Sequence, residues 1–202
     1  FEEINSAIGL AFRYGWATAE EHGFVRHCEI ENLSPAPMAL HVLDGLRNLL
    51  PPEINSRLQR DSSCLVDAYK TAELLPDSSL AVYALAAGIT DRPEPVEVLR
   101  ASTVWSAGFA GATILLSGAQ LGAFYRGEPV ATETRCRGQR CVYALAGKLK
   151  LAPRAAHRWL MVADFNRTQA GVAACRRAFA AGGLAEDVRV AITQSTARLR
   201  TL

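Results

Sequence analysis

The sequence contains none of the short motifs that mark the common catalytic sites. A Gly-Xaa-Ser-Xaa-Gly nucleophile turn, a Walker phosphate loop and a glycine-rich dinucleotide motif are all absent from the 202 residues. No residue is therefore nominated as a catalytic nucleophile, and no segment as a phosphate cradle. We expect no cofactor.

An excess of one charge is also missing. The chain has 22 basic and 20 acidic side chains, which leaves a formal net charge of +2. This balance does not suit a surface that follows a phosphate backbone, so we do not expect a nucleic-acid partner. Hydrophobic residues make up 50% and charged residues 21% of the chain, as in ordinary globular domains.

A membrane span is not expected either. The longest uncharged stretch, 101–125, exceeds the roughly 18 residues that a membrane helix needs. However, serine, threonine and glutamine are spread through it, and its glycines and β-branched residues favour buried strands. The N-terminal segment FEEINSAIGL is acidic, whereas a signal peptide begins with basic residues.

The cysteines lack the spacing of a disulfide framework, which favours a reducing compartment and hence the cytoplasm. Cys136 and Cys141 flank the sequence RGQR, in which Gly138 suits a tight turn with a positive φ. Such a turn would place the two thiols opposite each other. A disulfide, a metal site and two ordinary reduced cysteines all remain open, although the spacing is not that of a zinc knuckle.

Alternating apolar residues predict strands in the first half of the chain. Residues 9–17 are rich in aromatic side chains, and 24–33 alternates Cys28 and Ile30 with the polar His27 and Glu29. A turn with two prolines follows, and then a second alternating run begins at residue 38. These two runs predict a hairpin with a longer loop. Asp44 and Arg47 in LDGLRN are turn-type residues, which predicts a loop after the second run.

The clearest alternation lies in 141–163. Leu145 and Leu149 fall on one face and Lys148 on the other, and 152–156 turns the chain into a return strand at 159–163. We predict a short helix or an irregular crossover at 53–67, a helix at 117–126 capped by Ser117, and two more helices after Asn166.

These patterns predict a mainly β protein, an antiparallel β-sandwich with short crossover helices and two C-terminal helices. We expect a sandwich domain in 1–165 and a helical linker in 166–202.

Two sets of side chains are candidate sites. A sugar site needs polar groups beside exposed aromatic rings, so we select Asp44 and Arg47 together with Trp16 and Trp105. Core packing is the competing explanation for both tryptophans. In the predicted hairpin, His27 and His41 would approach each other and could hold a metal or transfer a proton; otherwise they are solvent-facing histidines.

One segment order resembles a known family. FRYGW, GFVRHCEIEN, LHVLDGLRNLLP, LVDAYKTAEL and DRPEP with LRASTVWS follow one another as in large bacterial proteins related to cellobiose and chitobiose phosphorylases. The resemblance spans Leu10 to Asp164 and implies their N-terminal β-sandwich, of the mutarotase-like supersandwich type. In that family an (α/α)₆ barrel follows, and it carries the catalytic acid and the phosphate-binding residues.

The resemblance implies a non-catalytic domain that serves packing, oligomer contacts or one wall of a sugar site. Its expected partners are a downstream barrel of the same chain, an oligosaccharide or a second copy. We expect the chain to be a piece of a longer polypeptide. Two alternatives remain: an independent carbohydrate-binding module with exposed aromatics, and a mutarotase-like enzyme, which needs two histidines and a carboxylate in one cleft.

Overall fold

A computed structural model describes residues 1–91, 93–94 and 96–201 of the chain. Arg92 and Pro95, in the predicted proline turn, and Leu202 lie outside the described residues. The described residues form these elements: β1 (Glu2–Asn5), β2 (Leu10–Ala19), β3 (Gly23–Asn32), β4 (Met38–Leu49), α1 (Ser56–Asp61), α2 (Ser63–Tyr69), β5 (Lys70–Leu74), β6 (Ala81–Leu85), β7 (Arg100–Ala107), β8 (Thr113–Ser117), α3 (Leu121–Tyr125), β9 (Arg135–Arg137), β10 (Cys141–Leu151), β11 (Ala156–Thr168), α4 (Gln169–Ala181) and α5 (Leu184–Leu199).

The strands form two antiparallel sheets of unequal size. The large sheet has eight strands in the order β1-β2-β3-β11-β7-β6-β5-β9, and the small sheet has three in the order β4-β10-β8. The predicted mainly β sandwich with two C-terminal helices is confirmed. Within the described residues, every helix is too short or too polar to cross a membrane.

Apolar side chains between the two sheets form the main core. Tyr83 and Met161 of the large sheet and Tyr143 and Leu145 of the small sheet are almost fully buried there. Tyr83 donates its hydroxyl hydrogen to the carbonyl of Val142 at 2.8 Å, so the layers are joined by a hydrogen bond as well as by packing. The predicted inward facing of Leu145 and Leu149 is confirmed, as is the exposure of Lys148.

The C-terminal helices cover the other face of the large sheet. Leu184 and Val188 of α5 pack with Trp105 and Val162 of the sheet. Because these contacts are buried and apolar, the segment predicted as a linker shares a core with the sandwich.

The predicted hairpin of β3 and β4 is wrong. β3 pairs with β2 and β11 in the large sheet, whereas β4 pairs with β10 in the small one. Asn32 secures the crossing between the layers, since its side-chain amide donates to the carbonyls of Ala36 at 2.7 Å and Ala152 at 3.1 Å. The predicted return strand after β10 also joins the other layer, where β11 pairs with β3 and β7.

Two smaller predictions are also wrong. The segment LDGLRN is not a loop but part of β4, and Gly45 permits this because a Cβ there would lie 2.3 Å from the carbonyl oxygen of Tyr143 in β10. Ser117 does not cap a helix, because it ends β8, and α3 has Gln120 as its N-cap residue. The crossover helix predicted in 53–67 is present as α1 and α2.

Candidate functional site

The unequal sheets leave part of the large sheet uncovered. β4 is an edge strand of the small sheet, and its Asp44 reaches Arg26 on β3 and Trp159 on β11. β4 therefore lies above β3 and β11, while β1 and β2 extend beyond it. An open cleft of about 770 Å³ lies between the last residues of β4 and strands β2, β3 and β11 of the large sheet.

Aromatic rings form the floor of the cleft. Trp16 on β2 is 54% exposed, Phe24 on β3 is 48% exposed and Phe165 on β11 is 46% exposed. The rings of Phe24 and Phe165 meet edge to face with their centroids 5.8 Å apart. Large apolar side chains that are exposed together, rather than singly, are typical of interaction sites.

A buried ion pair lies at the base of the cleft. Nη1 of Arg26 donates to both carboxylate oxygens of Asp44 at 2.6 Å, and the two side chains are only 9% and 10% exposed. Nε1 of Trp159 donates to Oδ2 of the same carboxylate at 2.7 Å, and the Arg26 guanidinium lies 4.5 Å from the ring centroid of Tyr14. The Asp44 carboxylate thus joins β4 to the large sheet through these hydrogen bonds.

The cysteines near this region are protonated thiols at neutral pH. Burial, with a smaller contribution from the Asp44 carboxylate, raises the pKa of Cys28 well above its ordinary value. Burial also raises the pKa of Cys136 and of Cys141 to about 11. Both of these thiols are free in the structure. Because the thiolate is the reactive form, none of the three is an activated nucleophile.

His27 and His41 do not converge. His27 lies on the face of β3 that points away from the small sheet, and His41 lies on β4 in the other layer. The prediction that these two approach each other is wrong, because it depended on the hairpin. Among residues 1–91, 93–94 and 96–201, no three histidine, cysteine or acidic side chains are grouped to hold a metal ion.

The structure brings together three of the four residues selected for a sugar site. Trp16 and Arg47 line the cleft, and Asp44 lies at its base in the pair with Arg26. Trp105 does not join them. It is 3% exposed on the opposite face of the large sheet, where its ring meets Phe179 of α4 edge to face at 5.9 Å.

Sequence reasoning missed the contribution of Asn48. This residue has a φ of 57°, in the left-handed region that asparagine tolerates better than most residues, and the register of β4 with β10 shifts beside it. The resulting bulge buries Leu49 and leaves both Arg47 and Asn48 exposed at the cleft. The sequence signal for this bulge was Asn48, which is followed by two leucines and then by two prolines.

The two edges of the small sheet differ in their hydrogen bonding. At the β8 edge, the Glu133 carboxylate accepts hydrogen bonds from the backbone amides of Leu116 and Ser117, both at 2.7 Å. Burial alone would raise the pKa of Glu133, but hydrogen bonds from the Gln120 side chain, these amides and the Ser117 hydroxyl outweigh it and lower the pKa below its usual value. At the β4 edge, the structure records no such partner within the described residues.

Comparison with known proteins assigns no family to the chain. Neither a protein-family model nor a curated protein matches the sequence. A function has to be inferred from the cleft, from the open edge of β4 beside it and from the chemistry of the residues that line them.

Proposed function

We propose that this chain is a non-catalytic β-sandwich domain of a larger carbohydrate-active protein, and that the aromatic cleft is the surface through which it contacts its neighbours. The observation that carries the proposal is the exposed floor of Trp16, Phe24 and Phe165 beside the open edge of β4. Aromatic residues surrounded by a polar rim are typical of protein interfaces. The link to carbohydrate-active proteins comes from the segment order of the sequence, which resembles that of the family.

The chemistry of the cleft supports a role in binding and not in catalysis. Arg26 and Asp44 neutralise each other, and the described residues that line the cleft include no histidine and no unpaired carboxylate. A mutarotase-like enzyme would need two histidines and a carboxylate in one cleft. His27 and His41 lie in different layers, so this alternative is not favoured.

A carbohydrate-binding module is the second candidate, favoured by one observation. The exposed indole of Trp16 shares the cleft with the polar side chains of Arg47 and Asn48. An aromatic face can stack on a pyranose ring, and neighbouring guanidinium and amide groups can bond its hydroxyls. This candidate differs from the first in requiring sugar affinity of the isolated chain.

Footprinting with hydroxyl radicals tests the contact surface. The native polypeptide from source cells and the isolated chain are oxidised in parallel, and modification is compared at Trp16 and at Tyr125. Tyr125 is the matched control, an aromatic residue of α3 that is 74% exposed and does not line the cleft. Protection of Trp16 alone in the native protein is expected, whereas equal oxidation of Trp16 in both samples would refute the contact surface.

Calorimetric titration with soluble cello- and chito-oligosaccharides tests the second candidate. Binding that is lost in Trp16→Ala and retained in Tyr125→Ala would make the chain a carbohydrate-binding module. Absence of heat with every sugar would leave the interaction domain as the function.

A further inference from the structure

We propose that the edge of β4 accepts one extended polypeptide segment, which adds a fourth strand to the small sheet and covers Trp16 and Tyr14 of β2. The segment carries apolar side chains on the face toward the large sheet and acidic side chains on the other face. The inference rests on the proposed function for the premise that the cleft is a contact surface, and it names the occupant.

The backbone of β4 is available for pairing. β4 is 12 residues long and pairs with β10 along one side only. In the described part of the chain, the hydrogen bonds recorded for the backbone of Met38–Leu49 are those of this pairing. A long row of unpaired amides and carbonyls is a template for another strand.

The other sheet edges are short or closed. β1 has four residues and β9 has three, while β8 is covered by Glu133. Natural sheets protect their edges by such means. β4 is therefore the long edge that the described chain leaves open.

The overhang leaves room for a single added strand. Neighbouring strands lie about 4.8 Å apart, so β2 extends roughly 5 Å beyond the strands beneath β4, and β1 adds a second strand only beside Leu10–Arg13. A segment paired with β4 would lie above β2, with Trp16 and Tyr14 beneath it. Side chains on that face would be buried against aromatic rings, which calls for apolar residues at alternate positions.

The opposite face of the segment would lie beside basic groups. Lys148 and Lys150 of β10 are exposed on the face of the small sheet that points away from the large sheet, and Lys148 lies opposite His41 of β4. Arg47 is exposed at the cleft itself. Within the described residues, neither lysine nor Arg47 forms an ion pair, and the nearby Glu128 is bound by Arg126. Acidic side chains on the segment would complement these charges.

A second copy of the chain does not fit the same edge. Antiparallel pairing of two β4 strands by a twofold axis places both large sheets on one side, where the two overhangs would occupy the same space. Parallel pairing places the small sheet of each copy over the aromatic floor of the other. That arrangement would press Lys148 and Lys150 onto Trp16 and Phe24 without a counter-charge.

Amide exchange with a defined peptide tests the inference. The probe is a peptide of about ten residues that alternates valine with glutamate, matched to the usual length of a strand. It is added to the ¹⁵N-labelled chain, and exchange is followed by NMR. We expect alternate amides of β4 to exchange at least about tenfold more slowly, while the amides of Leu116 and Ser117 stay unchanged.

Two control peptides separate pattern from composition. One has the same residues in two blocks, which removes the alternation, and the other has lysine in place of glutamate. Both are expected to bind at least about tenfold more weakly than the probe. Equal binding of all three peptides would overturn the proposed occupant.

Variants of the chain locate the contact. The double variant Arg47→Glu and Lys148→Glu should weaken binding of the probe by about tenfold, and Trp16→Ala should weaken it independently. Arg57 of α1 is 86% exposed, pairs with Asp61 and does not line the cleft, so Arg57→Glu makes the same kind of charge change and should leave binding unchanged. Thermal melts show whether each variant is folded.

The remaining outcomes overturn the inference in distinguishable ways. A dimer in sedimentation that is broken by changes in β4 would mean that a second copy occupies the edge. Binding of oligosaccharide but not of peptide, with loss in Trp16→Ala, would leave the cleft as a contact surface for a sugar. Failure of both ligands, with no protection of Trp16 in the native protein, would refute the proposed function as well.

Discussion

The two edges of the small sheet differ in whether their exposed backbone groups are hydrogen-bonded by the chain itself. A three-stranded sheet has two edge strands, and each exposes backbone groups that can pair with other chains. At β8 the chain supplies its own partner, since Glu133 accepts from the amides of Leu116 and Ser117. At β4 the chain supplies none among the described residues. The two edges therefore differ although they belong to the same small sheet, and this difference supports the proposal that β4 pairs with another chain.

The open edge is nevertheless held firmly in place. Asp44 ties β4 to the large sheet through Arg26 and Trp159, and Gly45 allows close packing of β4 against β10. A strand that is fixed in position but unpaired along one side loses little conformational freedom when it binds. Such preorganisation increases affinity for a partner.

Loss of the Arg26–Asp44 ion pair beneath β4 should have the largest effect on stability. Asp44→Ala leaves the Arg26 guanidinium buried without its counter-charge, and loss of one partner of a buried pair costs about 3–5 kcal/mol. Urea unfolding measures the change, and Asp44→Asn, which keeps an acceptor for Trp159, should lose less. A loss below about 1 kcal/mol would show that β4 does not depend on this pair.

Truncation of a core side chain in β10, the strand between the two edge strands, should destabilise the small sheet as a whole. Leu145 of β10 is almost fully buried, and truncation of such a leucine costs about 2–5 kcal/mol because it leaves a cavity. The free energy of unfolding of Leu145→Ala should fall by this amount, and that of Leu149→Ala by a similar amount. Melting temperatures that barely move would contradict the inward facing of these side chains.

Weakening of the closed edge should have a smaller, pH-dependent effect. The pKa of Glu133 is depressed in the folded state, so its contribution is fully present above the unfolded pKa of about 4.3 and is lost as the pH falls through the folded pKa. Glu133→Gln should therefore cost about 1–3 kcal/mol at neutral pH. The gap from the unchanged protein should narrow below about pH 4 in urea unfolding. A gap that is independent of pH would exclude the carboxylate charge as the cause.

A charge change on β10, the strand next to the open edge strand, should have the smallest effect on stability. Lys148→Glu alters an exposed side chain without an ion pair in the described chain, so the free energy of unfolding should stay within about 0.5 kcal/mol. Its effect should instead be on binding of the acidic peptide. A large loss of stability would mean that Lys148 has a structural role in the small sheet.

The alternation of apolar residues predicted the strands but not their partners. It placed Cys28 and Ile30 on one face of β3 and Leu145 and Leu149 on one face of β10, and both assignments are confirmed. Alternation specifies which face of a strand is buried, whereas pairing depends on contacts distant in sequence. For this reason the expected hairpin was wrong although both of its strands exist.

Only part of the candidate site was predicted, again because contacts distant in sequence decide which side chains are exposed. Trp16 and Trp105 both lie in strands, and nothing in their local sequence distinguishes a ring in a cleft from a ring under a helix. The difference arises because α4 and α5 cover the face that carries Trp105. The open edge itself could not be predicted, because it depends on the pairing of β4 with β10, which are distant in sequence.

Amide hydrogen exchange of the chain alone, resolved by NMR, tests the difference between the two edges most directly. If the account is correct, the amides of Leu116 and Ser117 are protected, while one alternating set of amides in β4 exchanges as fast as unpaired backbone. Protection of every amide along β4 would show that this edge already has a partner, and would contradict the account.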